Sequence, residues 1–208
     1  MTYVIGLTGN IGAGKSLVLK ILRELGAHTI DADAVTRLIM QRGGAAYSAI
    51  VEAFGNGILG PDGEINRAAL GWLVFSDSQA LRRLEELVHP ATSAWIKEDI
   101  AETDADVAVI EAIKLIEAGI VAELCDTLWV VDVPPEVQLA RLMKYRDMSR
   151  EDALQRMMAQ PPQEEKVAVA DLVIDNAGTI EQTRQQVLAA WSAIPKTGCQ
   201  KEEGRIST

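Results

Sequence analysis

Residues 9 to 16 have the types and the spacing of a phosphate-binding loop. They read Gly9, Asn10, Ile11, Gly12, Ala13, Gly14, Lys15 and Ser16, which matches the pattern G-x-x-x-x-G-K-[ST]. Glycines let the backbone take positive φ angles and turn its N–H groups inward, where they and the N-terminus of a following helix bind an anion. The lysine of such a loop reaches the β- and γ-phosphates, and the final hydroxyl binds Mg²⁺. The pattern therefore predicts a nucleoside triphosphate site.

Three acidic residues follow two segments that are predicted to be strands. Asp31 and Asp33 come after the apolar segment from 27 to 30, and Glu111 follows the one from 107 to 110. Because residues two apart in an extended chain point to the same side, both aspartates could face the cleft. One would orient or deprotonate an attacking hydroxyl, and the other would hold water on Mg²⁺, as would Glu111 beside Ser16. Two alternatives stay open: Asp33 as a helix N-cap and Glu111 as a surface acid.

A second cluster with chemical potential lies between residues 141 and 150. It contains Arg141, Lys144, Tyr145, Arg146 and Arg150. The planar fork of an arginine matches phosphate oxygens, so an arginine in a closing lid would spread charge in the transition state and exclude water. The alternative is an ordinary exposed helix face.

The elements that must position these residues alternate between strands and helices. Five apolar segments, at 3–7, 27–30, 107–110, 128–133 and 172–174, are predicted to be strands. Most are continuous runs of Val, Ile and Leu, as in parallel strands buried on both faces. The sequence therefore predicts an α/β fold with a doubly wound, parallel five-stranded sheet, whose ligand lies beyond the carboxyl ends of the strands. Asn176, which directly follows the last strand, joins the candidate site.

Two regions interrupt this alternation. Residues 35–104 show only helical patterns and are predicted to be an insertion that faces the acceptor, in which Pro90 starts a helix directly after His89. A lone histidine such as His89 is more often structural than functional. Residues 136–166 are predicted to form a helical lid, whose second helix is ended by Gln160, Pro161 and Pro162. The rest of this single unit, 1–208, is a core of residues 1–34 and 105–195 with a flexible tail at 196–208.

The composition argues against several classes of protein. The 208 residues carry a formal net charge of −10, which is unlike the basic face of a nucleic-acid binder. The two cysteines, Cys125 and Cys199, suit a reducing compartment, and they have neither a disulfide framework nor metal-ligand spacing. No apolar stretch reaches the roughly 18 residues of a membrane span, and the first strand leaves no room for a signal peptide. We expect a cytoplasmic protein without nucleic-acid or membrane partners, and a monomer is favoured.

Together these motifs resemble the dephospho-coenzyme A kinase family over nearly the whole chain. The matching segments are 6–16, 30–33, 87–90, 117–119, 131–133, 141–143, 159–160 and 170–176. The Asp-Ala-Asp and His-Pro elements, at these distances from the phosphate loop, are far more specific than the loop itself. The resemblance implies a P-loop kinase fold with a coenzyme A-binding helical domain and a lid. It also implies transfer of the γ-phosphate of ATP, with Mg²⁺, to the ribose 3′-hydroxyl of dephospho-coenzyme A, the last step of coenzyme A biosynthesis.

The resemblance also implies a role for each candidate residue. Asp33, Lys15 and Arg141 would be catalytic, and ATP would contact residues 9–16, Leu17, Arg141 and Asn176, with residues 160–164 near the adenine. The acceptor would contact Asp33, His89, Glu111 and Lys114, and Mg²⁺ would be held by Ser16, Asp31 and Glu111.

The chain departs from the family pattern at several of these positions. Asn10, Ala13 and Leu17 replace the usual Gly, Ser and Thr, Glu111 replaces an Asp, and Ile113 replaces a Pro. Tyr145 stands where many members have a second lid arginine, with Arg146 one residue further on. Since one residue turns a helical side chain by about 100°, Arg141 is favoured over Arg146 as a phosphate contact. No departure removes Lys15, Ser16 or Asp33, so we expect an active enzyme.

Two other functions fit the same motifs. A related nucleoside or nucleotide kinase would share the phosphate loop and Asp33 and would differ in the acceptor-facing residues 35–104. A nucleotide-binding regulatory protein would use the loop to change shape without an acceptor. The sequence has no Asn-Lys-x-Asp motif for guanine and no obvious switch segment, which disfavours the second alternative.

Overall fold

A computed structural model describes residues 1–113, 115–116, 119 and 123–195. Its strands are β1 (Tyr3–Thr8), β2 (His28–Asp31), β3 (Val107–Glu111), β4 (Thr127–Asp132) and β5 (Leu172–Asp175). They form one sheet in the order β2-β3-β1-β4-β5, and every pairing is parallel. The predicted five-stranded, doubly wound sheet is therefore confirmed.

The described helices lie between and after these strands. They are α1 (Lys15–Glu24), α2 (Ala32–Ile39), α3 (Tyr47–Phe54), α4 (Arg67–Ser76), α5 (Ser78–Glu102), α6 (Pro135–Arg146), α7 (Arg150–Met158), α8 (Gln163–Ala168) and α9 (Ile180–Ala193). A short 3₁₀ helix, Asn56–Ile58, and one antiparallel bridge between Leu59 and Ile65 complete the stretch between β2 and β3. None of the described helices combines the length and the apolarity needed to cross a bilayer.

The sheet divides the hydrophobic core into two layers. Successive residues of β1 alternate between them: Val4 packs with the layer of α2–α5, whereas Ile5 and Leu7 pack with that of α1 and α9. Every strand that is covered on both faces must be apolar at every position, which explains the continuous aliphatic runs. The carboxyl ends of β2 and β3, where the chain leaves the sheet, carry the acidic side chains of Asp31 and Glu111.

Helix α5 corrects one prediction. Pro90 does not start a helix; it lies inside a continuous helix of 25 residues. An internal proline removes one backbone hydrogen bond and costs about 3 kcal/mol. Val88, Thr92, Ser93 and Ile96 are buried on the face of α5, which packs against α2 and α4, and this burial offsets the cost.

The strand register brings the predicted acids to the phosphate loop. Leu7, near the end of β1, is paired with Glu111, and Asp31 at the end of β2 is paired with Glu111 from the other side. Because parallel strands end at the same edge, the loop that follows β1 and the acids that end β2 and β3 meet there.

Candidate active site

An open cavity of about 380 Å³ lies at this edge of the sheet. Its walls come from the phosphate loop, the ends of β2 and β3, and helices α2 and α6. The lining residues are Ile11, Gly12, Gly14, Lys15, Ser16, Asp31, Asp33, Arg37, Glu111, Ile113, Arg141, Leu142, Tyr145 and Arg146. Three acids and four cations therefore share one cavity.

The phosphate loop has the backbone shape that its glycines predicted. Gly12 and Gly14 have φ angles of 80° and 96°, in the left-handed region where a side chain is strained. A Cβ at Gly14 would also overlap the side-chain amide of Asn176. Helix α1 begins directly after Gly14 without a side-chain cap. Since the first N–H groups of a helix have no partner within it, those of Lys15 and Ser16 are available to an anion.

Side-chain amides hold the first half of the loop, and only part of this was foreseen. The N–H of Asn10 donates to Oε1 of Gln163 at 3.0 Å, and that of Ile11 donates to Oε1 of Gln160 at 2.8 Å. Nε2 of Gln163 in turn donates to the Val131 carbonyl at 2.9 Å. From the other side, the Gln138 amide donates to the Ile11 carbonyl. The N–H groups of Asn10 and Ile11 are therefore engaged by side chains of the segment 160–163, whereas the first N–H groups of α1 have no partner within their helix.

The side chains of Arg141 and Asn176 meet on the loop. The Arg141 guanidinium donates to the carbonyl oxygens of Ala13, at 3.3 Å, and Asn176, at 2.7 Å. Asn176 is buried, and its amide is occupied: Nδ2 donates to Ala13 at 2.7 Å, and Oδ1 accepts from Thr183 at 2.8 Å. Asn176 thus holds the loop through the Ala13 carbonyl and is not among the described residues that line the cavity. Arg141 does line the cavity, and it keeps further N–H donors for a phosphate.

Lys15 forms the charged centre of the site with Glu111. Its Nζ donates to the Gly9 carbonyl at 2.8 Å and lies 3.5 Å from Oε1 of Glu111. Burial lowers the pKa of Lys15, and the negative charges of Glu111 and Asp33 limit the fall. Burial also raises the pKa of Glu111, which Lys15 opposes and Asp31 and Asp33 reinforce. Lys15 and Glu111 therefore influence each other, and the charge of Asp33 acts on both.

The two aspartates enter the cavity by a different route from the one predicted. Strand β2 ends at Asp31 and α2 begins at Ala32, so strand alternation does not relate them. Asp31 is the N-cap, accepting the N–H of Ala34 at 2.8 Å, and Asp33 lies in the first turn. The alternative that Asp33 caps this helix is wrong. The N-terminus of a helix favours negative charge, so the first turn of α2 is a suitable place for an acidic side chain.

The predicted magnesium ligands share the cavity. Ser16, Asp31 and Glu111 all line it, and Asp31 lies beside Glu111 in the strand register. Among the described residues, no three His, Cys, Asp or Glu side chains are grouped so as to hold a metal ion by themselves. Mg²⁺ usually binds one or two carboxylates together with water and substrate phosphates, so a hydroxyl and two carboxylates beside a phosphate loop fit this ion.

Helix α6 contributes more cations than Arg141. Arg146 also lines the cavity, and its charge helps to lower the pKa of Lys15. Tyr145 lines the cavity and is exposed, and the Lys144 ammonium lies 5.2 Å from the centre of its ring. Arg146 therefore still lines the cavity, although it lies one residue after the position where many family members have their second arginine.

Two predicted acceptor contacts are not placed in the cavity. His89 is half-buried within α5 and is not among the described residues that line the cavity. Lys114 lies outside the described residues. Conversely, the cavity includes Arg37, which was not predicted, although its position four residues after Asp33 puts both on one helix face.

Comparisons with known proteins agree with this geometry. A family model described as dephospho-CoA kinase matches residues 3–182. The chain is 46% identical over 188 residues to a dephospho-CoA kinase of Carboxydothermus hydrogenoformans, covering 89% of this chain and 91% of that protein. A solved protein of Thermus thermophilus aligns with a TM-score of 0.79 at 32% identity, covering 92% of this chain and 97% of its own. For the solved dephospho-CoA kinase of Campylobacter jejuni the TM-score is 0.65 at 28% identity, with coverages of 92% and 96%. The chain therefore belongs to the dephospho-coenzyme A kinase family and is an ATP-dependent kinase of coenzyme A biosynthesis.

Proposed function

We propose that the chain transfers the γ-phosphate of ATP to the ribose 3′-hydroxyl of dephospho-coenzyme A, and that Asp33 faces the attacking hydroxyl. The observation that carries the proposal is the shared cavity of Lys15 and Asp33. The two side chains lie close enough for the carboxylate to raise the pKa of the ammonium. A phosphate held by Lys15 and a hydroxyl held by Asp33 would therefore meet within one site.

The reaction exchanges one oxygen–phosphorus bond for another. The 3′-oxygen bonds to the γ-phosphorus while the bond from that phosphorus to the β–γ bridging oxygen breaks, and this oxygen leaves with ADP. The hydroxyl proton passes to Asp33 and then to solvent. A carboxylate is a weak base for an alcohol, so it accepts the proton late, and Asp33 contributes mainly by positioning the hydroxyl.

Charge stabilisation falls to groups that the loop holds in place. The Lys15 ammonium and the first N–H groups of α1 would bind the β- and γ-phosphate oxygens. Arg141, fixed by the Ala13 and Asn176 carbonyls, would offer its remaining donors to the same oxygens. Ser16, Asp31 and Glu111 would hold Mg²⁺, directly or through water, and the ion would neutralise charge on the β- and γ-phosphates.

The parts of the chain are assigned to this reaction as proposals. Residues 1–34 and 105–195 form the core, residues 35–104 bind the acceptor, and residues 136–166 act as a lid. Helix α2 supports the second assignment, because it begins in the core with Asp33 and brings Arg37, from residues 35–104, into the same cavity. The amide contacts of Gln160 and Gln163 with the loop support the third. The tail at 196–208 lies outside the described residues, and the cytoplasmic location stays a prediction.

The direct test is ADP release from Mg-ATP with one acceptor at a time: dephospho-coenzyme A, AMP, CMP, shikimate, pantothenate or none. We expect turnover only with dephospho-coenzyme A, and phosphorus NMR of the product should locate the new phosphate on the 3′-oxygen. Turnover with another acceptor would keep the phosphate site and overturn the substrate. ATP binding without acceptor-dependent turnover would favour the regulatory alternative.

A further inference from the structure

Arg37 brings into the cavity a positive charge to which the proposed chemistry gives no role. It lies in α2, one helical turn after Asp33, and lines the same cavity. The other cations that line it, among the described residues, are Lys15 in the phosphate loop and Arg141 and Arg146 in α6. Arg37 therefore shares a helix with Asp33, whereas Lys15 and Arg141 contact the phosphate loop.

The local contact of Arg37 leaves its guanidinium open to a ligand. Its closest charged partner is Asp31, with 3.7 Å between Nη2 and Oδ2, and both side chains are half-exposed. This separation is longer than the roughly 2.7–2.9 Å of a charge-assisted hydrogen bond, and an exposed ion pair contributes little stability. The fork of the guanidinium is thus not engaged in a two-bond contact with Asp31.

The acceptor has an anionic group at the matching place. Dephospho-coenzyme A carries a diphosphate on the 5′-carbon of the same ribose whose 3′-hydroxyl reacts. The 5′-carbon is bonded to the 4′-carbon, which is the ring neighbour of the 3′-carbon. Side chains one helical turn apart have Cβ atoms about 5–6 Å apart, which suits a hydroxyl on Asp33 and a phosphate on Arg37. The diphosphate also needs a cation here, because Asp31, Asp33 and Glu111 make this wall of the cavity acidic.

We propose that Arg37 binds the diphosphate of the acceptor and so selects dephospho-coenzyme A among compounds with a free ribose hydroxyl. This inference rests on the proposed function, since it takes the position of the acceptor from Asp33. Bidentate binding by the guanidinium would fix the ribose relative to α2. Arg37 is then a specificity-determining residue that acts on acceptor affinity.

Steady-state kinetics of Arg37→Gln, Arg37→Lys and Arg42→Gln test this role. Arg42 is the matched control, because it is exposed shortly after the end of α2, carries the same charge and does not line the cavity. We expect Arg37→Gln to raise the KM for dephospho-coenzyme A by about 10- to 100-fold, the loss expected for a charged hydrogen bond, with the KM for ATP little changed. Arg37→Lys should lie between, since it keeps the charge and loses the fork. Arg42→Gln should resemble the unmodified chain.

The possible outcomes distinguish a failure of this inference from a failure of the proposed function. A fall in kcat without a rise in the KM for dephospho-coenzyme A would mean that Arg37 only aligns Asp31, and a rise in the KM for ATP would make it a donor contact. Either result overturns the inference, as would unchanged kinetics in folded Arg37→Gln. If the unmodified chain shows no turnover that depends on dephospho-coenzyme A, the proposed function fails, and the role of Arg37 fails with it. A urea unfolding curve for each variant confirms that the compared proteins are folded.

Discussion

The ammonium of Lys15 lies 3.5 Å from a carboxylate oxygen of Glu111, and the two side chains are 11% and 16% exposed. Burial disfavours the charged form of each: it lowers the pKa of Lys15 and raises the pKa of Glu111. Each charge opposes the effect of burial on the other. Glu111 therefore favours the protonated form of Lys15, which is the form that binds a phosphate.

Replacing Glu111 by Gln should make the kinase more sensitive to alkali. The active form carries a protonated Lys15, so activity is lost as the pH rises through the pKa of Lys15. Removing Glu111 removes the largest influence that raises this pKa. We expect the alkaline limb of the pH profile of kcat/KM, which reports on the free enzyme, to move to lower pH. The measurement is made at saturating Mg²⁺, which separates this effect from metal binding. Glu98→Gln, at an exposed position of α5, is the control. If the alkaline limb of Glu111→Gln does not move, the coupling between Glu111 and Lys15 is refuted.

Replacing Lys15 by Ala should cut phosphoryl transfer. The loss of its charge at the β- and γ-phosphates should lower kcat/KM by about 10²- to 10³-fold, as for other preorganised electrostatic groups. Initial rates of ADP formation give the value. Lys20→Ala, on the exposed side of the same helix, should leave the rate unchanged. Near-normal turnover of folded Lys15→Ala would remove Lys15 from the mechanism.

Replacing Asp33 by Asn should separate binding from chemistry. The amide keeps the shape of the side chain and loses the ability to accept a proton, so kcat should fall by about 10²-fold or more. Asp31, not Asp33, caps α2, so the helix should remain intact. Calorimetric titration should show unchanged ATP affinity. An unchanged kcat would leave Asp33 without a catalytic role.

Two glycines with nearly equal φ angles separate backbone strain from steric overlap. Gly14 has a φ of 96° and Gly26 a φ of 95°; a Cβ meets Asn176 at Gly14 and nothing nearby at Gly26. Alanine in this region costs about 1–2 kcal/mol, so Gly26→Ala should lose that much stability to urea and Gly14→Ala at least that much. Only Gly14→Ala should also weaken ATP binding, because Asn176 must move and it holds the Ala13 carbonyl. Equal ATP affinities in the two variants would contradict this.

Replacing Gln163 by Leu should test the contact between the lid segment and the loop. The change leaves the Asn10 N–H and the Val131 carbonyl without their partner, at a cost of about 1–3 kcal/mol for a buried polar group. We expect a lower urea midpoint and a higher KM for ATP. Gln155→Leu, on an exposed position of α7, should change neither. A raised KM without a loss of stability would indicate direct contact with the nucleotide.

Local pattern was sufficient for the strands and for the loop. The apolar runs ending near Ile30, Ile110 and Ile174 predicted strands of the sheet. Burial on both faces explains the continuous run in the central strand β3, whereas the edge strands β2 and β5 also hold half-buried and exposed residues. The spacing of Gly9, Gly14 and Lys15 predicted the loop, because a short backbone turn sets its own geometry. The family followed from motifs at fixed distances along the chain. These inferences need only neighbouring residues or recurring distances.

Long-range contacts were beyond the pattern. Gln160 and Gln163 meet the loop across roughly 150 residues, and glutamine carries no local signal for such a contact. Strand β2 ends at Asp31, so Asp31 and Asp33 reach the cavity from the start of α2 and not from an extended strand. Helix α5 continues past Pro90, because it packs against neighbouring helices. The coupling of Lys15 to Glu111 arises only when β1 and β3 pair in one register. Such features depend on which residues lie close together in space. That proximity is set when the sheet and its helices assemble, and the order of the residues alone does not reveal it.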